Sequence, residues 1–127
     1  MTTHWSLGGD AADPHRLAAF WALALGYVAE PGYENEHGAS IVDPDGVLPA
    51  IGFLQVPEGK VAKNRLHIDI LVAGGRPLDQ ATREQWVSAK VADLVTAGAT
   101  AVREETYDGV LGHVVMLDPK GNEFCVA

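Results

Sequence analysis

Positive charge is scarce in this chain: 9 Lys and Arg stand against 17 Asp and Glu among 127 residues, a formal net charge of −8 with His neutral. A protein that grips phosphates needs clustered cations. Here they are few and scattered, so neither nucleic acid nor an anionic membrane is an expected partner. Cysteine is scarcer still. Cys125, the single one, closes no intramolecular disulfide, and the opening Met1-Thr2-Thr3-His4 lacks the basic and apolar regions of a secretory leader; a cytoplasmic protein is expected. Long apolar runs are missing too, because Asp, Gly or His interrupts each one short of the roughly 20 residues that span a bilayer. What is present is an ordinary globular balance, 47% apolar and 20% charged, which excludes a disordered or collagen-like chain. A chain of this length buries roughly two-thirds of its unfolded surface. The expectation is one domain over residues 1–127 that folds without staples.

Local signals then divide the chain. Asp13-Pro14 starts a helix, since the carboxylate can accept from the free first-turn amides and Pro fits the first helical position. Leu17, Phe20, Trp21, Ala24 and Leu25 form one apolar stripe, and Gly26 stops it as a left-handed cap would. Residues 27–36 keep neither period and read as a loop or ragged strand. Residues 39–42 read as a strand, Asp43-Pro44-Asp45-Gly46 as a turn and residues 50–56 as a second strand. Residues 66–72 alternate: Leu66, Ile68, Ile70 and Val72 make an apolar face, and His67, Asp69 and Leu71 lie on the other. Thr82 and Gln85 suit a capping box for a second helix, striped by Val87, Val91, Leu94 and Val95 and ended at Gly98. Residues 100–104, 112–117 and 123–126 complete the chain as short strands, the last two joined by Asp118-Pro119-Lys120-Gly121-Asn122.

This order occurs twice. Leu25-Gly26 at the first helix end matches Ala97-Gly98 at the second, and Ile41-Val42-Asp43-Pro44-Asp45-Gly46 matches Met116-Leu117-Asp118-Pro119-Lys120-Gly121. The expected class is α+β, with two tandem β-α-β-β-β modules, the first over about residues 1–60 and the second over about 64–127.

The run from Asp13-Pro14-His15-Arg16-Leu17 through Phe20-Trp21 to Leu25-Gly26-Tyr27, the closing Asp118-Pro119-Lys120-Gly121-Asn122-Glu123-Phe124, and the segment Lys63-Asn64-Arg65-Leu66-His67-Ile68-Asp69 together resemble the vicinal oxygen chelate superfamily. That is the glyoxalase, bleomycin-resistance and extradiol-dioxygenase group, and the resemblance covers nearly the whole chain. It implies that each module curls its sheet into half a cup, that two modules close one ligand cavity, and that the chain pairs as a homodimer. Metal-using members place a His or Gln at the opening strand of each module and a Glu in the last strand of each.

Carried over residue by residue, this pattern is partly met. His67 occupies the second module's first position. Cys125 stands where the second Glu is expected, with Glu123 two residues earlier on the same face. In the first module the opening position falls near Ser6, with His4 on the same face and Gly8-Gly9 able to permit a bulge that shifts it. Its last strand offers Phe53 or Gln55 and no carboxylate. His67, His4 and Glu123 are thus the metal candidates, and no tight stoichiometric ion and no cofactor are expected. Asp69 either orients His67 or pairs with Arg65, and Cys125 is either a small buried side chain or a thiolate donor. The candidate ligand-binding residues are His67, Asp69, Phe53, Gln55, Trp5, Glu123 and Cys125.

The expected function is small-molecule binding, a hydrophobic or aromatic ligand enclosed in the cup for sequestration or resistance. The alternative is a metal-dependent lyase, isomerase or dioxygenase acting on vicinal oxygens. The missing carboxylates favour the first.

Overall fold

The computed structural model describes every residue except Glu34, which falls in the segment read as loop or ragged strand. The chain divides into two compact units, Met1–Gly59 and Lys60–Ala127, and each holds one four-stranded mixed sheet with one helix. The α+β class and the doubled module follow from these elements.

In the first unit, β1 (Leu7–Ala11) leads to α1 (Pro14–Leu25), β2 (Val28–Ala29), β3 (Gly38–Val42) and β4 (Ile51–Gln55). The sheet order is β1-β4-β3-β2, with β1 parallel to β4 and the other pairs antiparallel. The helix starts as its sequence dictates: the Asp13 carboxylate accepts from the Arg16 amide at 3.1 Å, Pro14 opens the first turn, and Gly26 ends it at φ 72°. α1 buries Leu17, Phe20, Trp21 and Ala24, and the sheet supplies Ile41, Ile51 and Phe53 to the same core. Phe20 and Trp21 meet edge to face, ring centroids 5.4 Å apart. Gly9 packs closely here, since a Cβ on it would lie 3.2 Å from Phe53 Cδ1 and the ring would have to give way. β1 keeps unbroken register with β4 through Gly8 and Gly9. The bulge that this glycine pair permits does not form, so His4 is not shifted into the place of Ser6.

In the second unit, β5 (Asp69–Ile70), α2 (Gln80–Thr96), β6 (Thr100–Tyr107), β7 (Val110–Leu117) and β8 (Glu123–Val126) give the same order, β5-β8-β7-β6. The cap of α2 is Asp79, whose carboxylate accepts from the Thr82 amide at 2.7 Å. Thr82 is therefore inside the first turn rather than at its head. α2 buries Val87 and Leu94 over a sheet core of Val114, Met116, Phe124 and Val126. β6 and β7 run longer than their apolar patterns suggest, because Asp108-Gly109, both at positive φ (53° and 77°), forms a tight hairpin turn between them.

The strand read over residues 66–72 contracts to β5. Ile70 is buried, whereas Leu66 stays 82% exposed. Ahead of β5 a side chain takes the place of the backbone ladder: the Glu123 amide donates to Asn64 Oδ1 at 2.8 Å, and Asn64 Nδ2 donates to the Glu123 carbonyl at 3.1 Å. The two Asp-Pro turns also repeat. Asp43 accepts from the amides of Asp45, Val47 and Leu48, and Asp118 from the amides of Lys120 and Asn122 and from the Asn122 side chain. Among the described residues no helix is long and apolar enough to cross a membrane.

Candidate functional site

Strand alternation sends every second side chain away from the covering helix, and this rule builds an open face in each unit. Setting the repeated turns on one another makes Val42 the counterpart of Leu117, and the strand registers carry the match across both sheets. Gly52, beside Ser40 and Gly8, is then the counterpart of Cys125, beside Val115 and Asp69. By the same count Ser6 answers to His67 and Ala50 to Glu123. Both open faces are cavities, of ≈ 560 Å³ in the first unit and ≈ 390 Å³ in the second, and these counterparts line them position for position.

The chemistry is gathered in the second. His67 lies just ahead of β5, which Asp69 opens, and His67 Nδ1 lies 3.1 Å from Asp69 Oδ1. Cys125 is the register partner of Asp69 on the neighbouring strand. Ligating atoms of these three side chains all lie within 4.8 Å of one another. Around them the charges are matched in pairs: Lys63 Nζ is 3.1 Å from Glu123 Oε2, and Arg103 Nε is 2.5 Å from Glu105 Oε1. Burial pushes the Cys125 thiol above its ordinary range, and the charge of Asp69 and a hydrogen bond to it push the same way. That environment keeps a proton on sulfur in the free protein. The Glu105 bond, with Glu123 and Cys125 nearby, raises the Arg103 guanidinium, which stays charged.

Four of the residues read from the sequence, His67, Asp69, Glu123 and Cys125, thus meet in one cavity. The others belong to the first unit, where Phe53 lines the first cavity and Gln55, Trp5 and His4 do not. Phe53 is buried beside Gly9, one residue from the Gly52 position that answers to Cys125, and it lines the first cavity together with Gly52. Gln55 shares the parity of Phe53; its Nε2 donates to the Ala12 carbonyl and its Oε1 meets His37. Trp5 and His4 are exposed ahead of β1. The second cavity also takes in Lys63, Leu71, Arg103 and His113. Leu71 is legible from alternation with His67 and Asp69, while the other three are brought in by pairings distant in sequence.

The superfamily's metal set draws one His or Gln and one Glu from each module. This chain does not fit it. Gly52 has no side chain and Ser6 offers a hydroxyl, so the first module contributes neither nitrogen nor carboxylate at those positions. With Cys125 standing where the second module's Glu is expected, only His67 of the superfamily's four donors is present.

The glyoxalase-like domain model matches residues 6–127. Among curated proteins none matches in sequence. Solved structures do match. A glyoxalase/bleomycin resistance protein/dioxygenase family enzyme from Burkholderia phytofirmans has a TM-score of 0.70 at 16% identity, covering 95% of this chain and 94% of that one. A glyoxalase-related enzyme from Fulvimarina pelagi has a TM-score of 0.66 at 14% identity, covering 100% and 88%. The fosfomycin resistance protein FosX from Mesorhizobium loti has a TM-score of 0.63 at 12% identity, covering 99% and 91%. Likeness at such identities speaks to fold, and with the family match over nearly the whole chain it identifies the protein as a member of the glyoxalase-like domain family, within the vicinal oxygen chelate superfamily.

Proposed function

We propose that this protein binds a small hydrophobic or aromatic molecule in its cup and acts by capturing it. The observation that carries this reading is the pairing of two preserved cavities with a first module whose metal positions are Ser6 and Gly52. The hollow is kept while the family's two-module donor set is not. In the second cavity Leu71 and Val115 supply apolar wall, and His67, Lys63 and Arg103 supply donors at its edge, a mixture suited to an aromatic compound with one polar or anionic group. A role in resistance extends to this chain what the name of a structural neighbour, the fosfomycin resistance protein FosX, says of that protein. A cytoplasmic homodimer completes the reading, and light scattering at tens of micromolar should give twice the chain mass.

Titration with 1-anilinonaphthalene-8-sulfonate, an aromatic anion, tests it. Saturable fluorescence gain, weakened by Leu71→Asp in the wall, is expected. No saturable binding by this probe or by a panel of neutral aromatics would overturn the proposal. The alternative, a metal-dependent lyase, isomerase or dioxygenase, is favoured by the clustering of His67, Asp69 and Cys125. It predicts turnover of a substrate with vicinal oxygens that is lost in His67→Ala.

A further inference from the structure

We propose that Asn64 is a positioning residue of the second cavity: its side-chain amide hooks the connector ahead of β5 to the backbone of Glu123 and thereby holds Lys63 and His67 at the cavity edge, where they meet the anionic group of a ligand. The ligand is that of the capture reading, and the role rests on that reading, whereas the hook does not.

The connector needs a hook because it has no ladder. Among the described residues no backbone-to-backbone hydrogen bond reaches residues 60–67; the first on this edge is the Cys125 amide donating to the Ile68 carbonyl at 3.0 Å. Asn64 supplies what is missing. Its Oδ1 accepts from the Glu123 amide at 2.8 Å and its Nδ2 donates to the Glu123 carbonyl at 3.1 Å, so one side chain satisfies both backbone groups of a residue 59 positions away. The same Nδ2 donates to the Leu66 carbonyl at 2.6 Å and curls the connector back on itself. Asn64 is accordingly half-buried, while its neighbours from Val61 to His67 are exposed. The residue type is demanded by these bonds: aspartate accepts but cannot donate, and glutamine sets the same amide one methylene too far.

The hook carries two cavity residues, for Lys63 and His67 both line the second cavity. Lys63 directly precedes Asn64, and its Nζ lies 3.1 Å from Oε2 of Glu123, the residue whose backbone Asn64 holds. His67 lies between the Leu66 carbonyl, bonded to Asn64, and the first ladder bond at Ile68, so its backbone is fixed on both sides. The two side chains are 59% and 42% exposed. Side chains that open to water are held in one place chiefly by the backbone that bears them. An ammonium and an imidazole fixed on one edge suit a sulfonate, carboxylate or phosphate group. The first module lacks the device. The count that pairs Ser6 with His67 makes Thr3 the counterpart of Asn64, and Thr3 is exposed, with one hydroxyl in place of the amide's separate donor and acceptor.

The test pairs a ligand-free readout with two probes. In proton–nitrogen NMR spectra of the full chain, Asn64→Ala should shift or broaden the imidazole resonances of His67 and leave in place those of His113, which lines the same cavity from β7. The same substitution should weaken binding of 1-anilinonaphthalene-8-sulfonate by about three- to tenfold, the loss of roughly one polar contact, and change that of its uncharged analogue N-phenyl-1-naphthylamine by less than about twofold. In a Lys63→Ala/His67→Ala background it should cost the sulfonate less than about twofold, because the residues it acts through are gone. A merely structural role would lower both probes alike and persist in that background. Asn64→Gln, neutral and with its amide displaced, should follow Asn64→Ala and replaces it if the alanine variant loses its far-ultraviolet circular dichroism. His67 resonances unmoved in both variants, or equal losses for the two probes, would overturn the proposal. If the parent binds neither probe, the capture reading fails, while the His67 resonances still decide whether Asn64 holds the cavity edge.

Discussion

The two modules share strand order, helix position, turn and cavity, yet imidazoles, the thiol and cations line the second cavity, while Asp10, Glu30 and Tyr33 line the first. Ser6, Gly8, Ala50 and Gly52 line the first open face where His67, Asp69, Glu123 and Cys125 line the second. The packing is shared, with the first helix burying more side chains and the second sheet holding the most deeply buried ones, Phe124, Met116 and Val126. α1 buries Leu17, Phe20, Trp21 and Ala24, while α2 buries Val87 and Leu94. A duplicated fold can therefore keep a core in both copies and vary the site chemistry between them, since a sheet's covered and open faces are set by alternate residues and vary independently.

The largest expected effect tests the contrast between the two helices. Trp21 is 5% exposed, and Trp21→Ala should lower unfolding free energy by about 3–5 kcal/mol. Trp86, 36% exposed beneath Arg76 at 4.9 Å, should lose only about 1 kcal/mol as Trp86→Ala. Denaturant titration of both variants checks the ranking, and equal losses would break it.

The paired turns sharpen the comparison next. Asp118 is 4% exposed and accepts from the amides of Lys120 and Asn122 and from the Asn122 side chain, so Asp118→Ala should cost about 2–3 kcal/mol through amides left unsatisfied. Asp43→Ala should cost less, because water can reach the amides it frees. Its loss should depend on pH. The amides of Leu48, Asp45 and Val47 hold the Asp43 carboxyl below the ordinary carboxylate range. A depressed folded-state value stabilises fully above the unfolded value of about 4 and is lost as pH falls through the folded one. The melting-temperature gap between parent and Asp43→Ala should thus persist at pH 7 and shrink below about pH 4.

Reactivity of Cys125 follows. With its thiol raised first by burial and then by Asp69, alkylation by iodoacetamide at neutral pH should be slower than that of free cysteine and should climb with pH. Asp69→Asn removes the negative charge, lowers the thiol's value and speeds the reaction at neutral pH. The smallest effect belongs to the glycines of the first sheet. A Cβ at Gly52 meets nothing within 4 Å, so Gly52→Ala should be neutral within about 0.5 kcal/mol, whereas Gly9→Ala presses on Phe53 and should destabilise measurably.

Features decided by neighbours in sequence are legible in the sequence itself. The Asp13 cap, the Gly26 stop and both Asp-Pro turns depend on groups within a few residues, and the doubled module follows from their repetition. Features decided across strands are not. Nothing local makes Gly52 rather than Phe53 the counterpart of Cys125 until β4 is set in register with β1 and β3. Likewise the role of Asn64 exists only because β8 presents the Glu123 backbone to it. Arg103 and Lys63 reach the cavity by the same kind of distant pairing. The head of α2 is an intermediate case: Asp79 and Thr82 both suit a cap, and the competition is settled by where the first turn begins. The Asp108-Gly109 hairpin carries a local signal, two residues tolerant of positive φ between apolar strands, that the apolar pattern alone passes over.

If recognition resides in the second module, counterpart positions in the two modules must differ in their effect on ligand affinity. The most direct test compares affinity for 1-anilinonaphthalene-8-sulfonate by fluorescence titration. His67→Ala should weaken binding by about tenfold, the loss of roughly one polar contact to a charged group. Ser6→Ala should change it by less than about twofold, as expected of a position without a contact. Equal effects at the two positions, or a larger one at Ser6, would contradict the placement of recognition in the second module.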